Sequence, residues 1–379
     1  MSGPAQNPDN RLTVNLGAIA HNLEALRALL PRGARVAGVV KADAYGHGLV
    51  PVASTLKQAG AEALAVAALV EGEHLRKAGV EGPVYLLLGL RPDQARRAAA
   101  RDLIPVCADM DIFRALDAAG RERGRPVPCQ LKVDTGMGRL GVAVDQAVEM
   151  LEQLIRLPGL ELTGLVSHLA TAGDPASDHA RRQTAAFAGL LSQARQRGLA
   201  LADSSLAGSG GVLVPLRQMP SPPCLVRLGV ALYGGLPDPA SAGRADLQGA
   251  MSFTSRLLAV RRAPAGTLVS YGCTWRAKRD TWLGVVPAGY SDGYPRSASN
   301  RARMLVNGRL APLRGRVCMN LMVIDLGGLD PLPRPGDSVT LLGRQGEAEI
   351  SANQLAAWAG TIPYEITCSL GAANQRRYI

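Results

Sequence analysis

Lysine is the residue type that narrows the possible chemistry of this chain most quickly. Five of the 42 basic residues are lysines, at Lys41, Lys57, Lys77, Lys132 and Lys278. Three of them lie in polar stretches that are predicted to be exposed, whereas Lys41 and Lys132 belong to apolar, strand-like runs. A lysine that ends a buried strand either extends its ammonium group to water or acts as a nucleophile. Lys41 and Lys132 are therefore the two candidates for lysine chemistry.

Polar and reactive side chains also follow other apolar runs along the chain. They are Asp134, Arg139, His168, Ser209 and Arg227. One such residue alone is more often structural than catalytic, but several at comparable places predict a shared site. The stretches "AGSGGV" (207–212) and "RLGV" (227–230) contain glycines that let backbone N–H groups approach a phosphate. A phosphate site together with Lys41 suggests pyridoxal phosphate held as a Schiff base.

The elements that must position these residues alternate between short apolar runs and amphipathic helical stretches. The predicted strands are Arg35–Val40, Ala63–Ala67, Val84–Leu88, Leu103–Cys107, Val127–Val133, Leu160–Ser167, Ser204–Ala207 and Cys224–Leu228. The predicted helices include Val50–Ala59, Asp93–Ala100, Asp109–Arg121, Asp145–Leu157 and Arg181–Gly198. Eight strands, mostly followed by helices, predict an α/β fold with a (β/α)₈ TIM-type barrel over residues 1–240, in which residues that follow the strands meet at one rim. A doubly wound open sheet is the alternative, but no G-x-G-x-x-G follows the first strand.

The character of the sequence changes after about residue 240. Helical spacing nearly vanishes, and short strands with turn signals replace it. Asn307-Gly308 is a strong hairpin signal, and one short helix is predicted at Ser351–Ala359. The Gly-, Pro- and Ala-rich stretch 235–250 marks the boundary. We expect residues 241–379 to form a mainly-β domain.

Composition excludes several other classes of protein. The net charge of +11 comes from scattered arginines and only 4% of the residues are aromatic, which argues against nucleic-acid binding and leaves anionic small molecules as partners. The six cysteines form no C-x-x-C pair, which argues against a zinc or other metal site and against a disulfide framework. No apolar run reaches membrane-spanning length and residues 1–12 are polar, so we expect a cytoplasmic protein that does not bind membranes.

Five motifs, in order along nearly the whole chain, together resemble the alanine racemases. They are "VVKADAYGHG" (39–48), "LKVDTGMGRLG" (131–141), "SYGCTW" (270–275), "GYSDGYPR" (289–296) and "GRVCMN" (315–320). The resemblance implies a fold-type-III enzyme that depends on pyridoxal 5′-phosphate. It also implies a homodimer that interconverts L-alanine and D-alanine by two bases and supplies D-alanine for peptidoglycan.

The resemblance implies a role for each matching residue. Lys41 would bind the cofactor as a Schiff base and act as one catalytic base, while Tyr271 would act as the opposing base from the partner subunit. Lys132 matches a lysine that is often carbamylated. Further cofactor contacts would be Tyr45, His168, Ser209, Arg227, Gly229, Val230 and Tyr364. Substrate contacts would be Arg139, Tyr294 and, from the partner subunit, Met319.

Arg227 helps to separate this reading from its alternatives. A guanidinium group only donates hydrogen bonds, so it leaves a pyridine nitrogen unprotonated and thereby suppresses transamination. A fold-type-III amino-acid decarboxylase would place a carboxylate there instead. A non-catalytic pyridoxal phosphate-binding protein would be a lone barrel, without the β domain that carries Tyr271.

Three positions depart from the pattern of the resembled family. Gly208 stands where asparagine is usual and Leu228 where proline is usual, and both are expected to adjust the phosphate loops. Asn320 replaces the aspartate that usually follows Cys-Met. This change removes a negative charge near the substrate, so a racemase of broader specificity stays an alternative.

Overall fold

The computed structural model describes residues 7–174, 177–214 and 225–379. Residues 1–6 and Cys224, to which sequence analysis assigned a polar start and the beginning of a strand, lie outside these ranges. The described chain begins with β1 (Arg11–Val14) and α1 (Leu16–Arg27). The next strands are β2 (Arg35–Val39), β3 (Ala63–Val66), β4 (Val84–Leu86), β5 (Ile104–Cys107), β6 (Val127–Asp134), β7 (Val142–Ala143), β8 (Leu160–Val166) and β9 (Leu225–Leu228).

These strands curl into a parallel barrel. The sheet runs β7-β6-β5-β4-β3-β2-β9, and β8 pairs with the other side of β6. The gap between β8 and β9 is bridged by residues 204–208, because Ser205 pairs with Val166 and Gly208 pairs with Arg227, both in parallel. The predicted strand at Ser204–Ala207 therefore occupies the seventh barrel position. The prediction of a TIM-type barrel is confirmed.

Helices follow most of the barrel strands. They are α2 (Lys41–Tyr45), α3 (Leu49–Gln58), α4 (Leu69–Lys77), α5 (Ala95–Ala100), α6 (Met110–Glu122), α7 (Ala147–Leu154), α8 (Asp178–Gln196) and α9 (Ser209–Leu213). The five helices that were named from the sequence are all present as α3, α5, α6, α7 and α8. Side chains cap them where the sequence supplies a short polar residue, as Asp109 does by accepting from the Asp111 N–H group.

The C-terminal part of the chain is mainly β, as predicted. Its strands are β10 (Met251–Arg256), β11 (Ala259–Ala263), β12 (Leu268–Val269), β13 (Trp275–Arg276), β14 (Thr281–Val286), β15 (Arg303–Val306), β16 (Arg309–Pro312), β17 (Met322–Asp325), β18 (Ser338–Gln345), β19 (Ala348–Ile350) and β20 (Arg376–Tyr378). The hairpin signal is confirmed, since β15 and β16 pair across Asn307 and Gly308, whose φ angles are 51° and 72°. Positive φ at both central residues is the type I′ geometry that suits strand twist.

Two helices, rather than the single one predicted, lie in this part of the chain. They are α10 (Ala352–Ala359) and α11 (Pro363–Ala373). The prediction missed α11, which begins with a proline at its first position and has a mixed sequence with weak periodicity. On α11, Ile366 and Leu370 pack into the core of the β domain, while Tyr364 and Cys368 pack against the barrel core. This helix therefore joins the two cores.

The division of the chain at residue 240 stays a prediction. One element before that point pairs with the later strands, because β1 lies between β10 and β20 in the large C-terminal sheet. The main sheet of the β domain thus contains both ends of the described chain. Within the described residues, no helix combines the length and the apolar character needed to cross a membrane.

Candidate active site

A cavity of about 430 Å³ opens where the barrel strands end. Ten of the predicted site residues line it: Lys41, Tyr45, Lys132, Arg139, His168, Ser209, Arg227, Gly229, Val230 and Tyr364. The lining includes four basic side chains and, among the described residues, no aspartate or glutamate. Such a cavity favours anionic groups such as a phosphate and a carboxylate.

Lys41 ends the first barrel strand and begins an unusual turn. The next four residues, Ala42 to Tyr45, have φ angles between 52° and 55°, which is left-handed helical backbone. The Ala42 N–H group donates to Glu71 Oε1 at 2.7 Å, which fixes the start of the turn. Burial is the main cause that lowers the pKa of Lys41, and the positive charge of Arg139 is the second. The lysine is thereby prepared to lose its proton and react as a free amine.

The loops after the last two strand positions form a tight cradle. Ser209 Oγ accepts hydrogen bonds from the N–H groups of Gly229 at 2.9 Å and Ala231 at 3.4 Å, which joins the two loops. A Cβ atom on Gly229 would lie 2.6 Å from the Tyr45 hydroxyl oxygen, so only glycine leaves this space open. The cradle has the hydroxyls and the close backbone approach that a phosphate needs.

Two of the departures from the family pattern lie in this region. Gly208 has extended backbone and bridges Arg227, and a Cβ atom there would lie 3.2 Å from the Arg227 carbonyl oxygen. Leu228 is fully buried in β9 opposite Gly38 and donates nothing from its side chain to the loops. Their expected effect on phosphate binding stays a prediction.

Arg227 is a buried cation without a carboxylate partner among the described residues. Its guanidinium donates to Ser205 Oγ, to the Ser167 carbonyl at 2.6 Å and to His168 Nδ1 at 3.3 Å. Burial lowers the pKa of Arg227 to about 10, so the group stays charged at neutral pH. Burial, together with the charge of Arg227, lowers the pKa of His168 to about 3.

The neighbouring guanidinium also fixes the tautomer of His168. A guanidinium only donates, so Nδ1 of the neutral imidazole must accept and Nε2 must carry the proton. His168 thus presents an N–H donor on the side away from Arg227. The imidazole can therefore accept from Arg227 through Nδ1 and donate to another group through Nε2.

Lys132 and Arg139 come from the long strand β6 and the loop that follows it. Burial, and next the charge of Arg227, lowers the pKa of Lys132 to about 7. The Arg139 loop is ordered by Asp134, whose carboxylate accepts from the N–H groups of Gly136, Met137 and Gly138 at 2.7–2.8 Å. Burial alone would raise the pKa of Asp134, but these backbone hydrogen bonds outweigh it and lower the pKa.

Tyr271 and Met319 do not line the cavity. Their relative exposures are 71% and 55%, which is high for large apolar side chains. Their two loops are tied together, because the Ser270 hydroxyl donates to the Arg316 carbonyl at 2.6 Å and lies 3.3 Å from Cys318 Sγ. The β domain therefore carries a second cluster of predicted site residues, presented at its surface.

Tyr294, which is predicted to contact substrate, does not line the cavity, and its role stays a prediction. Its side chain is 1% exposed and belongs to the core of the β domain. The other tyrosine of the same motif, Tyr290, is 42% exposed, and its N–H group donates to the Cys318 carbonyl beside Met319. Sequence reasoning did not single out Tyr290, because both tyrosines fit the motif equally and only packing separates them.

Comparison with known proteins identifies the family. Residues 14–237 match the alanine racemase N-terminal domain and residues 250–378 match the alanine racemase C-terminal domain. The alanine racemase of Symbiobacterium thermophilum is 38% identical over 366 residues, which are 96% of each chain.

Solved structures of similar proteins agree with these matches. The alanine racemase from D-cycloserine producing Streptomyces lavendulae has a TM-score of 0.90 and 35% identity, covering 99% of this chain and 98% of that one. The alanine racemase from Bartonella henselae with covalently bound pyridoxal phosphate has a TM-score of 0.86 and 28% identity, covering 98% and 100%. The resemblance inferred from the five motifs is confirmed, and the chain belongs to the alanine racemase family.

Proposed function

We propose that this protein is a pyridoxal phosphate-dependent racemase that interconverts L-alanine and D-alanine. The observation that carries the proposal is a lysine with a lowered pKa in a barrel cavity lined by basic side chains and, among the described residues, by no acidic ones. Such a cavity suits a cofactor phosphate and a substrate carboxylate. The relatives named above support the choice of reaction.

The residues of the cavity fit the cofactor. Tyr45, Ser209 and Gly229 form a cradle for its phosphate, with an open space that a larger residue at position 229 would fill. Lys41 would hold the cofactor covalently. When bound, pyridoxal phosphate supplies an electron sink for the charge left when an amino acid loses its α-proton.

We assign the two proton transfers to groups on different domains. Lys41 Nζ takes or gives the proton on one face of the substrate carbon, because burial favours its neutral form. Tyr271 serves the other face. Since Tyr271 is exposed on the β domain and does not line its own chain's cavity, we place it over the cavity of a second subunit.

His168 and Arg227 set the electrostatics of the site. Arg227 is held in place by four neutral acceptors, so its charge is available to a ligand nitrogen that accepts a hydrogen bond. His168 stays neutral and donates from Nε2. Arg139 holds the substrate carboxylate, and Lys132, with a pKa of about 7, is able to react with carbon dioxide to form the carbamate that would orient Arg139.

The proposed assembly is a homodimer with two shared sites. Exposed apolar side chains accompany Tyr271 on the β domain: Tyr290, Met319 and Leu321 are all more than 40% exposed. Exposed apolar residues that are linked by hydrogen-bonded loops are typical of an interface. In a two-fold dimer the same surfaces of both chains meet, so each would complete the other's site.

We further propose that the protein works in the cytoplasm and that its product is D-alanine for peptidoglycan. The five cysteines in the described part of the chain are free, as is usual in a reducing compartment. We also propose that the protein accepts amino acids other than alanine, because Asn320 places a neutral amide near the substrate where the family usually has an aspartate.

A chiral assay of the purified protein tests these assignments. L-Alanine and a panel of larger and more polar L-amino acids are each incubated with the protein and pyridoxal phosphate, and both enantiomers are measured. We expect D-alanine to form at the highest rate, with slower turnover of at least one larger or more polar amino acid. Release of carbon dioxide without racemisation would favour the decarboxylase reading, and no turnover at all would favour a binding protein.

A further inference from the structure

His47 is a fully buried histidine to which the proposed reaction assigns no role. It follows the left-handed turn directly, and its side chain has 0% exposure. Nδ1 lies 3.0 Å from the Ala44 carbonyl oxygen and 3.1 Å from the Tyr45 carbonyl oxygen. Carbonyl oxygens only accept hydrogen bonds, so Nδ1 carries the proton and donates to both. Nε2 is then an acceptor, and it has no partner among the described residues.

The two carbonyls that His47 binds belong to strained backbone. Left-handed helical geometry costs an L-residue about 1–2 kcal/mol, and four residues in succession adopt it here. Single residues in this conformation are common, but a run of four requires interactions that hold it. His47 supplies one such interaction from inside the protein, at the end of the turn that carries Tyr45.

Ring contacts join the same histidine to the phosphate cradle. The His47 ring stacks on Tyr233 with centroids 4.5 Å apart, and Tyr233 packs against Tyr45 at 4.9 Å. The Tyr233 hydroxyl donates to the Val39 carbonyl at 2.9 Å, in the strand that leads to Lys41. His47 and Tyr233 therefore contact the chain on both sides of the left-handed turn.

The turn also packs closely against α11. A Cβ atom on Gly46 would lie 2.2 Å from the Thr367 carbonyl oxygen in α11, so the backbones touch directly. Burial lowers the pKa of His47 to about 4, which keeps the ring neutral and its single proton on Nδ1 at neutral pH. A displaced turn would move the Tyr45 hydroxyl out of the cradle.

We propose that His47 is a positioning residue of the cofactor site, whose Nδ1–H group holds the left-handed turn and so places the Tyr45 hydroxyl against the phosphate. The inference rests on the proposed function, since it takes the cradle to bind pyridoxal phosphate. His47 acts through Tyr45 and touches neither substrate nor cofactor.

The test measures the affinity of the cofactor-free protein for pyridoxal phosphate by its absorbance on reconstitution. His47→Asn keeps a donor near the Nδ1 position, whereas His47→Leu has a similar shape and no donor. We expect His47→Leu to weaken cofactor binding about tenfold, because the displaced Tyr45 hydroxyl would lose its hydrogen bond to the charged phosphate. The His47→Asn protein should bind the cofactor nearly as the wild type does. Equal affinities for the Leu and Asn variants would overturn the proposal.

A double-mutant cycle separates positioning from a general loss of structure. If His47 acts through the Tyr45 hydroxyl, His47→Leu combined with Tyr45→Phe should bind no more weakly than Tyr45→Phe alone. Additive losses would reject the proposal. His21→Leu, in a half-buried histidine of α1 that lies outside the cavity lining, is the matched control and should leave the affinity unchanged.

Two further outcomes keep the test decisive. If His47→Leu does not fold, His47→Gln replaces it, because its longer amide reaches past the Nδ1 position; equal affinity of the Gln and Asn variants would then overturn the proposal. If the wild-type protein itself binds no pyridoxal phosphate, the proposed function fails. Wild-type binding with unchanged variants rejects only the role of His47.

Discussion

The barrel cavity and the Tyr271 loops of the β domain are built in opposite ways. In the cavity, Arg227 is buried, His168 is half-buried, and they are hydrogen-bonded to each other or to backbone. On the β domain, Tyr271 and Met319 extend large side chains to the surface. The loops beneath them are nevertheless well tied by backbone and hydroxyl hydrogen bonds.

Under the proposed function, the difference predicts which part of the active site a single chain completes. A cofactor pocket assembled by one chain can bind pyridoxal phosphate before any partner arrives. An exposed tyrosine, by contrast, has solvent on the side where a substrate should be. The contrast therefore predicts that cofactor binding depends on one chain alone, whereas racemisation needs the surfaces of two chains in contact.

Removing Lys41 should abolish the function of the barrel cavity. Lys41→Ala is expected to lower racemisation by a factor on the order of 10³ or more, because it removes both the covalent attachment and one base. The visible absorbance of lysine-bound cofactor should be lost as well. Lys278→Ala, in an exposed lysine, is the control and should retain both properties. Retained absorbance in the Lys41→Ala protein would shift the assignment to Lys132.

Mixing two inactive variants tests whether the two proposed bases, Lys41 and Tyr271, act in one site from different chains. Lys41→Ala and Tyr271→Ala proteins, each nearly inactive, are allowed to exchange subunits in equal amounts. Half of the dimers are then mixed, and each mixed dimer has one intact site, so activity should return to roughly a quarter of wild type. A tag on one variant verifies the exchange. Mixed dimers that are confirmed but inactive would show that both bases act within one chain.

A smaller effect is expected from substituting Asn320, which tests how the loop that carries Met319 on the β domain is held in place. The Ser291 hydroxyl donates to the Met319 carbonyl at 2.8 Å and accepts from Asn320 Nδ2 at 2.8 Å. In Asn320→Asp the new carboxylate competes with the Met319 carbonyl for the single hydroxyl proton, which loosens the Met319 loop. We expect the KM for alanine to rise about two- to tenfold, with less change in kcat.

Ser291→Ala separates this effect from a simple change of charge. Combined with Ser291→Ala, the Asn320→Asp substitution should have little further effect on the KM, because the hydroxyl that connects the two positions is gone. A full additional rise in the double variant would mean that the aspartate acts on substrate directly.

A last effect concerns the pH dependence of stability, which the buried groups of the barrel should control. The folded-state pKa of His47 is about 4, below the ordinary value of 6.5, so the unfolded chain binds its proton first as the pH falls. Stability is thus lost between pH 6.5 and 4, by up to about 1.4 kcal/mol per pH unit for each such proton. Urea titrations over this range should give a shallower pH dependence for His47→Asn than for wild type. Identical slopes would contradict the assignment.

Local pattern was sufficient for the features that adjacent residues determine. The strand before Lys41, the Asn307-Gly308 turn and the alternation of strands and helices each follow from residue types within a few positions. Of the ten predicted residues that line the cavity, four stand in the quoted motifs: Lys41, Tyr45, Lys132 and Arg139. These features were accessible because backbone preference and hydrophobic periodicity act over short distances.

Other features depended on contacts between distant parts of the chain. Tyr290 and Tyr294 stand in one motif, yet only packing of the β domain makes one exposed and the other buried. The pairing of β1 with β10 and β20, and the role of α11 in joining the two cores, have no local signal. His47 is part of a quoted motif, but its use depends on a left-handed turn that tertiary packing stabilises against its intrinsic cost. Sequence thus determined which chemical groups this protein has and their order, while the tertiary structure decided which of them meet, because burial and hydrogen bonding are properties of the folded chain.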